Sequence, residues 1–331
     1  MLAVLPEADS SSGIPRVGEV PDPVPGPGEI LIDIEAAGVN HAELLQVRGR
    51  YPPPPGESDI PGLECAGRVA GSAEIPGGLW QPGARVMALL AGGGHATRAA
   101  VPIGQLMPLP GQLSHVEGGA IPESGLTAWT NLVAEGDLQP GESVLVTGAT
   151  GGVGVFAVQL ARELGARVIA AARDRDRLEM LRELGIEEVC VEGASLPQQV
   201  REATNGRGVD LVVDLVSGSQ LASHLAALRE GGRLVLVGAV AGGKAELELS
   251  PILRRRLRLV GSVLRPRSRE EKARLVSDFS AFALPRLKDG RLRPVVDRVF
   301  PFERAAEAYK ALAQGGSFGK IVLDMTGLTP R

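Results

Sequence analysis

The sequence predicts an α/β protein with two domains, one of them a doubly wound parallel sheet. Its 331 residues are too many for a single compact core, which favours two domains. From about residue 121 onward, apolar runs of strand length alternate with segments of helical periodicity, as in a series of parallel βα units. Before that point the chain is rich in Pro and Gly, and its short apolar runs lie between turn residues. That pattern is typical of a compact β-barrel-like domain.

The N-terminal part contains three short predicted strands, at residues 29–36, 66–69 and 85–90. Residues 21–28 alternate Pro with other residues, so they suit neither a helix nor a central strand and are predicted to form an extended connection. Residues 52–56, four prolines and a glycine, are predicted to form a rigid surface loop.

The rest of the chain follows a regular alternation and then a mixed C-terminal segment. The predicted strands are residues 144–146, 167–171, 187–191, 209–215, 233–237, 257–261, 295–300 and 320–324. The predicted helices are residues 156–164, 174–184, 198–204, 220–229, 269–283 and 304–314.

A glycine-rich turn joins the first of these parallel strands to its helix. Gly148, Gly151, Gly152 and Gly154 follow the apolar run directly, and Gly165 ends the helix before the next strand. In a complete βαβ unit, such a turn brings backbone N–H groups close to a pyrophosphate, with the positive end of the helix dipole behind them. The unit therefore predicts a dinucleotide-binding site. Its candidate contacts are Ala149, Thr150, Gly151, Gly152, Val153 and Gly154.

The residues after the second parallel strand indicate which dinucleotide is bound. NAD-binding proteins place a carboxylate about 20 residues beyond the glycines. This chain has Ala172 and Arg173 there, with Arg175 and Arg177 close behind. A guanidinium binds phosphate through two parallel hydrogen bonds, so Arg173 and Arg177 favour NADP(H). Two alternatives remain open: the arginines begin a solvated helix, or Asp174 holds a ribose hydroxyl.

Composition and charge exclude several classes of protein. A formal net charge of −4 argues against nucleic-acid binding, and the basic run 254–258 fits a solvated helix end before a strand. No stretch of about 18 apolar residues is present, so we expect no membrane span. Residues 1–6 lack the features of a signal peptide, so a cytoplasmic location is expected. Cys65 and Cys190 are too few for a disulfide framework and are predicted to be small buried apolar residues.

Short motifs along nearly the whole chain resemble one family. Four motifs are similar to those of the medium-chain dehydrogenase/reductase superfamily, in its zinc-free NADPH:quinone oxidoreductase family. They are residues 25–32 (PGPGEILI), 38–43 (GVNHAE), 60–67 (IPGLECAG) and 316–323 (GSFGKIVL). Glu43 stands where that family has Asp. The resemblance implies a GroES-like β-barrel-type catalytic domain, residues 1–122 and 266–331, and a Rossmann domain, residues 123–265. Three further segments resemble one branch of this family, the branch that contains the tumour-suppressor-inducible quinone oxidoreductase. They are residues 50–56, 87–94 and 261–265.

The resemblance also bears on zinc. The alcohol-dehydrogenase division of the superfamily places a Cys at the position of Asn40, a His at that of Leu63 and a Cys near Glu123. A catalytic zinc needs three protein ligands, and Leu63 cannot coordinate a metal, so no metal site is expected. His41 and His95 are conceivable ligands, but the simpler interpretation is one histidine in an exposed loop and one at a glycine-rich turn.

The implied activity is hydride transfer from NADPH to a quinone or a similar conjugated carbonyl acceptor, without zinc. The resemblance implies Asn40, Tyr51 and Ser124 as catalytic residues. Asn40, Tyr51 and Thr127 are expected near the nicotinamide, with Thr127 opening the linking helix. Further cofactor contacts are expected where strands end. These are Gly238, Ala239, Val240, Val263, Leu264 and Arg265.

Simpler roles stay open for two of these positions. Tyr51 would also pack over the proline loop, and Glu123 would be a buried, hydrogen-bonded carboxylate. A short-chain dehydrogenase is excluded because its Tyr-x-x-x-Lys motif is missing: Tyr51 and Tyr309 are followed four residues later by Pro55 and Ala313.

Two alternative functions remain. An enoyl or alkenal double-bond reductase shares the fold, cofactor and hydride chemistry, and a low-turnover NADPH-binding sensor or structural protein is the second. The resemblance further implies a small-molecule quinone or enone substrate and a homodimer or dimer of dimers. The sequence does not identify the acceptor.

Overall fold

The computed structural model describes residues 1–6, 13–71 and 80–328. Its strands are β1 Leu2–Leu5, β2 Arg16–Glu19, β3 Glu29–Val39, β4 Glu64–Val69, β5 Arg85–Leu89, β6 Arg98–Pro102, β7 Leu106–Pro108, β8 Ser143–Thr147, β9 Arg167–Ala172, β10 Glu188–Val191, β11 Val209–Asp214, β12 Leu228–Leu236, β13 Arg258–Gly261, β14 Val296–Pro301 and β15 Lys320–Asp324. Its helices are α1 His41–Val47, α2 His115–Gly118, α3 Pro122–Trp129, α4 Gly152–Glu163, α5 Arg175–Met180, α6 Leu196–Ala203, α7 Leu221–Ala227, α8 Leu249–Arg254, α9 Arg269–Lys288 and α10 Ala305–Gln314.

The chain forms two compact units. Unit 1 contains Met1–Leu126 and Leu264–Arg331, and unit 2 contains Thr127–Val263. The expected boundaries were after residues 122 and 265. The structure therefore adds Glu123–Leu126 and Leu264–Arg265 to unit 1, and the first boundary falls inside α3.

Unit 1 is built on a mostly antiparallel sheet with strand order β14-β15-β3-β4-β5-β7, and β6 pairs with β3. The eleven-residue β3 is central because it pairs with β4, β6 and β15 along different parts of its length. Side chains of β3 alternate between buried and half-buried positions over most of the strand, as expected when one face packs on the core. Ile30, Ile32 and Ile34 form the centre of that core.

Unit 2 is a six-stranded parallel sheet with order β10-β9-β8-β11-β12-β13. All residues of β8 and β11 are buried, because helices cover both faces of a doubly wound sheet. The predicted α/β class, with a β-rich domain and a doubly wound parallel sheet, is therefore confirmed. Within the described residues, no helix has the length and apolar character needed to cross a bilayer.

Four predicted elements were wrong in detail. The helix predicted over 174–184 is shorter: α5 ends at Met180 and a 3₁₀ turn follows to Leu184. Helix α9 continues through Pro285 to Lys288, with the buried Leu287 packed in its last turn. Strand β12 begins at Leu228, which was predicted to be helical, because this residue already pairs with Val209 of β11. Thr127 does not open the linking helix, since α3 begins five residues earlier.

Candidate active site

The glycine-rich turn of unit 2 has the shape that a pyrophosphate requires. Gly148 has φ of +58°, a left-handed conformation that favours glycine. A Cβ on Gly154 would lie 2.3 Å from the Gly148 carbonyl oxygen, so only glycine lets α4 pack this closely on the turn. The first turn of α4 contains no acidic residue, and its amides have no carbonyl one turn earlier in the helix. Ala149, Thr150, Gly151, Gly152 and Val153 complete this turn, and its backbone therefore fits an anionic diphosphate.

Arg173 is the first residue after β9 and is exposed to solvent. The neighbouring Asp174 caps α5: its Oδ1 accepts a hydrogen bond from the Arg177 amide at 3.2 Å, and its Oδ2 lies 3.1 Å from Arg177 Nη1. The cap engages Asp174 and partly neutralises Arg177. Arg173 and Arg175 are exposed cations on either side of this capping residue.

The loop after β11 supports this turn. Asp214 Oδ1 accepts hydrogen bonds from Thr147 Oγ1 at 3.1 Å, from the Val216 amide at 3.0 Å and from the Ser217 amide at 2.7 Å. These bonds hold Ser217 at φ of +51°, which is unusual for a residue with a side chain. Because a Cβ on Gly148 would lie 3.3 Å from Val216 Cγ2, the glycine turn rests on this loop.

His224 extends the same network into α7. Its Nδ1 lies 3.0 Å from Asp214 Oδ2 and its Nε2 lies 3.1 Å from Glu192 Oε2. The imidazole is fully buried between two carboxylates; its Nε2 is hydrogen-bonded to Glu192, and its Nδ1 lies at ion-pair distance from Asp214. Burial alone would lower the pKa of His224, but the hydrogen bonds and charges of Asp214 and Glu192 raise it to about 9. We therefore expect His224 to be protonated at neutral pH.

In unit 1 the predicted catalytic residue Asn40 lies in a buried polar cluster. Its Nδ2 is 3.3 Å from Glu43 Oε1 and 3.1 Å from Glu64 Oε1, and its Oδ1 accepts from Lys320 Nζ at 2.6 Å. Lys320 Nζ also donates to Glu64 Oε1, while Glu64 Oε2 accepts from the Glu123 amide at 2.9 Å. Both protons of the Asn40 amide are thus used inside unit 1, and a ligand contact would have to replace one of these bonds.

Glu43 is the titratable member of this cluster. It is fully buried, and its carboxylate accepts from the amides of Asn40 and Leu63. Burial raises the pKa of Glu43 to about 7; the positive charge of Lys320 opposes this increase, and the nearby Glu64 adds to it. The pKa of Glu43 thus lies well above that of an ordinary glutamate.

Tyr51 lies half-buried in its loop and contacts Arg265. The Arg265 guanidinium carbon is 5.0 Å from the centroid of the Tyr51 ring, and its Nη1 donates to the Tyr51 carbonyl oxygen at 3.1 Å. Burial raises the pKa of the Tyr51 hydroxyl, and the positive charge of Arg265 opposes that shift. Arg265 was predicted to contact the cofactor through its backbone; its side chain lies against Tyr51.

The other predicted residues have varied surroundings. Ser124 is buried and its hydroxyl donates to the Ala120 carbonyl oxygen at 2.5 Å. Thr127 is buried within α3, and its carbonyl oxygen accepts from Asn131 Nδ2. Gly238, Ala239 and Val240 follow the end of β12 in unit 2, with Val240 strongly exposed; Val263 is exposed after β13, and Leu264 is buried.

The two conceivable zinc-binding histidines are not equivalent. His95 is fully buried; its Nε2 lies 2.9 Å from the Gly38 carbonyl oxygen and its Nδ1 lies 2.8 Å from the Tyr309 hydroxyl. Both nitrogens are therefore engaged, and burial lowers the pKa of His95 to about 4. His41 is exposed and begins α1, so its predicted position in a loop was wrong. Among the described residues, no group of three or more His, Cys, Asp or Glu side chains suits a metal ion.

The two cysteines behave as predicted. Both are free and buried, and burial raises the pKa of Cys65 to about 12 and that of Cys190 to about 11. Three residues with marked surroundings, Lys320, Glu64 and His224, had no predicted role. Lys320 and Glu64 are the charged first residues of mostly apolar strands, and His224 lies in a mostly apolar helix. The sequence around Arg265 gives no sign that its side chain contacts Tyr51.

Comparisons with known proteins agree with these two units. Residues 26–111 match the family model of the alcohol dehydrogenase GroES-like domain, and residues 152–280 match that of zinc-binding dehydrogenases. The solved quinone oxidoreductase of Thermus thermophilus, studied also in complex with NADPH, is 37% identical, with 98% of this chain and 100% of that chain covered and a TM-score of 0.80. The chain belongs to the quinone oxidoreductases of the medium-chain dehydrogenase/reductase superfamily.

Other members of the superfamily show how wide the likeness is. The quinone oxidoreductase of Lama guanicoe is 29% identical over 310 residues, which cover 92% of this chain and 91% of that protein. The CurK enoyl reductase is 25% identical over 98% of both chains, with a TM-score of 0.83. The fold of this chain is thus similar both to quinone oxidoreductases and to an enzyme named as an enoyl reductase.

The buried His224 leads to a prediction about stability. The pKa of His224 is raised to about 9 in the folded protein, against an ordinary value of 6.5. Its stabilising contribution is therefore complete below about pH 6.5 and is lost as the pH rises through 9. We expect His224→Gln to lower the unfolding free energy at pH 7 by roughly 3 kcal/mol, the lower end for breaking a buried ion pair.

Urea unfolding of both proteins between pH 6 and 10 measures this effect. The difference between wild type and variant should shrink as the pH rises towards 10. A difference that stays constant over this range would show that His224 is neutral in the folded protein.

Proposed function

We propose that this protein is an NADPH-dependent quinone oxidoreductase that transfers hydride to quinones or similar conjugated carbonyl acceptors without zinc. The most direct support for this proposal comes from Asn40 and Leu63, which stand at positions that hold zinc in the alcohol-dehydrogenase division. Asn40 uses its whole amide in bonds to Glu43, Glu64 and Lys320, and Leu63 is a buried apolar side chain. A catalytic zinc needs three protein ligands, and this set does not supply them.

The cofactor assignment rests on the turn and on Arg173. The glycine turn fits a diphosphate, Arg173 is an exposed cation after β9, and the similar Thermus thermophilus enzyme was solved with NADPH. Bound NADPH would supply a hydride, and the acceptor would take up that hydride and one proton, giving the hydroquinone and NADP⁺. Thr127 and the backbone at residues 238–240 and 263–265 stay proposed contacts, by resemblance.

The chain's own residues would position the acceptor and provide charge. Tyr51 offers a half-buried ring and a hydroxyl donor, and Arg265 places a positive charge beside that ring. A conjugated acceptor delocalises the negative charge that it gains with the hydride. A fixed cation beside a surface without water would therefore be enough to stabilise that charge, whereas alcohol oxidation needs a Lewis acid. Asn40 and Ser124 stay proposed site residues, each with its side-chain protons engaged in the structure described above.

The acceptor class is tested by steady-state NADPH oxidation with a series of quinones beside a series of alkenals. We expect kcat/KM for the best quinone to exceed that for the best alkenal by at least tenfold. The same assay after exhaustive dialysis against a chelator should give unchanged rates.

Faster reduction of alkenals would support the double-bond reductase instead. Negligible turnover of both series with tight NADPH binding would favour the sensor or structural protein. Stoichiometric zinc, with activity lost on its removal, would overturn zinc independence.

Cofactor preference is tested by titrating NADPH and NADH while following fluorescence. NADPH should bind at least tenfold more tightly, since Arg173 pairs with a phosphate that NADH lacks. Arg173→Ala should remove most of that preference, while Arg201→Ala, an exposed arginine on α6, should leave it unchanged. Equal affinities for the two cofactors in the wild type would contradict the assignment.

We also propose a homodimer, formed through unit 2. Strand β13 lies at the end of the parallel sheet, and unpaired edge strands readily pair with another chain. Large apolar side chains in the surrounding segment are exposed: Val240, Leu249, Leu253, Leu259 and Val263. Such a patch is expected to be covered by a partner, and two copies related by a two-fold axis bury it symmetrically. The cytoplasmic location stays a prediction from the sequence.

Light scattering tests the dimer. The wild type should have twice the mass of one chain, and Leu253→Glu combined with Leu259→Glu should give a monomer. Val299→Glu, which adds a charge at an exposed apolar position of unit 1, is the matched control. A monomeric wild type at micromolar concentration would refute the proposal.

A further inference from the structure

Arg265 forms a three-way clamp inside unit 1. Its Nε donates to the Ala91 carbonyl oxygen at 2.8 Å, its Nη1 to the Tyr51 carbonyl oxygen at 3.1 Å, and its Nη2 to Gln46 Oε1 at 2.7 Å. The side chain is buried, with 4% of its surface exposed. One guanidinium thus joins α1, the loop that contains Tyr51 and the segment after β5.

All three acceptors are neutral oxygens. A buried cation usually pairs with a carboxylate, because desolvation of a charge is costly. Here the nearest acidic influences on Arg265, from Glu43, Glu123 and Glu57, act only as longer-range charges. The positive charge is therefore not cancelled by a bound carboxylate and acts on the aromatic ring that it covers.

Tyr51 is held twice by this group. Its carbonyl oxygen accepts the Nη1 hydrogen bond, and its ring lies under the guanidinium with 5.0 Å from Cζ to the ring centroid. The backbone bond fixes the loop, and the cation–π contact fixes the ring. Lysine cannot reproduce this arrangement, because a single ammonium lacks the planar fork that reaches three separate acceptors.

We propose that Arg265 is a positioning residue, which holds Tyr51 in place so that the exposed part of its ring lines the acceptor site. This inference rests on the proposed function, in which Tyr51 contacts the acceptor. Arg265 acts through Tyr51: the guanidinium covers one side of the ring, and a flat conjugated acceptor stacks on the part left open. Loss of the clamp should release the loop and weaken acceptor use.

Fluorine NMR tests the structural part without any need for turnover. The chain has only two tyrosines, so protein labelled with 3-fluorotyrosine should give two resonances. Tyr309 is buried and bonded to His95, which makes it an internal reference for correct folding of unit 1. In Arg265→Ala and in Arg265→Lys, the Tyr51 resonance should move towards the value of free fluorotyrosine and sharpen, while that of Tyr309 stays in place.

Arg274→Ala, at an exposed position of α9 in the same unit, is the matched control and should move neither resonance. An unchanged Tyr51 resonance in both Arg265 variants, with the Tyr309 resonance intact, would overturn the proposal.

Kinetics test the functional part with a double-mutant cycle. Arg265→Ala and Tyr51→Ala should each lower kcat/KM for quinones by about tenfold or more, and the double variant should lose little beyond either single one. Millimolar guanidinium should restore part of the activity of Arg265→Ala but none of that of Tyr51→Ala.

The two proposals fail in different ways. Additive losses in the cycle would show that Arg265 does not act through Tyr51, and the positioning role would be wrong even though the enzyme reduces quinones. A wild type without quinone or alkenal turnover would refute the proposed function, and the fluorine spectra would still decide whether Arg265 holds Tyr51.

Discussion

The rest of unit 1 depends on the contacts that the buried Lys320 ammonium makes with Asn40 and Glu64. Lys320 begins β15, and its partners Asn40 and Glu64 stand at the start of α1 and of β4. Three segments that are far apart in the sequence therefore meet at one charge. Removing that charge would leave Glu64 buried without its counter-charge, which is far more destabilising than never having buried the pair. The cluster thus ties the start of β15 to the starts of α1 and β4.

The same cluster bears on the proposed independence from zinc. Two carboxylates, one ammonium and one amide satisfy one another, so the site holds a fixed pattern of charge instead of a set of free donor atoms. Burial raises the pKa of Glu43 to about 7, so protonation of this carboxylate near neutral pH would reduce the negative charge of the cluster. Hydride acceptors that delocalise charge are compatible with such a site, whereas an alkoxide would lack its stabilising ion.

Unit 2 uses a comparable device. Asp214, His224 and Glu192 place one imidazole between two carboxylates, beneath the loop on which the glycine turn rests. In both units, a buried charge network therefore supports the residues expected to contact ligands without supplying those contacts itself. Because such networks have defined directions and distances, they orient the neighbouring backbone more strictly than apolar packing does.

The sequence by itself determined the fold class and the glycine turn, and it places Leu63 where the resemblance would put a zinc ligand in the alcohol-dehydrogenase division. These depend on local patterns: a buried apolar strand, glycines where a side chain would collide, and Leu63 where a ligand would be needed. Only the tertiary structure decided that Asn40 is saturated by Glu43, Glu64 and Lys320, and that Arg265 points at Tyr51. Those contacts join residues as much as 280 positions apart, and no local periodicity encodes such a distance. The limits of α5 and β12 were missed for the same reason, since pairing and packing set where those elements end.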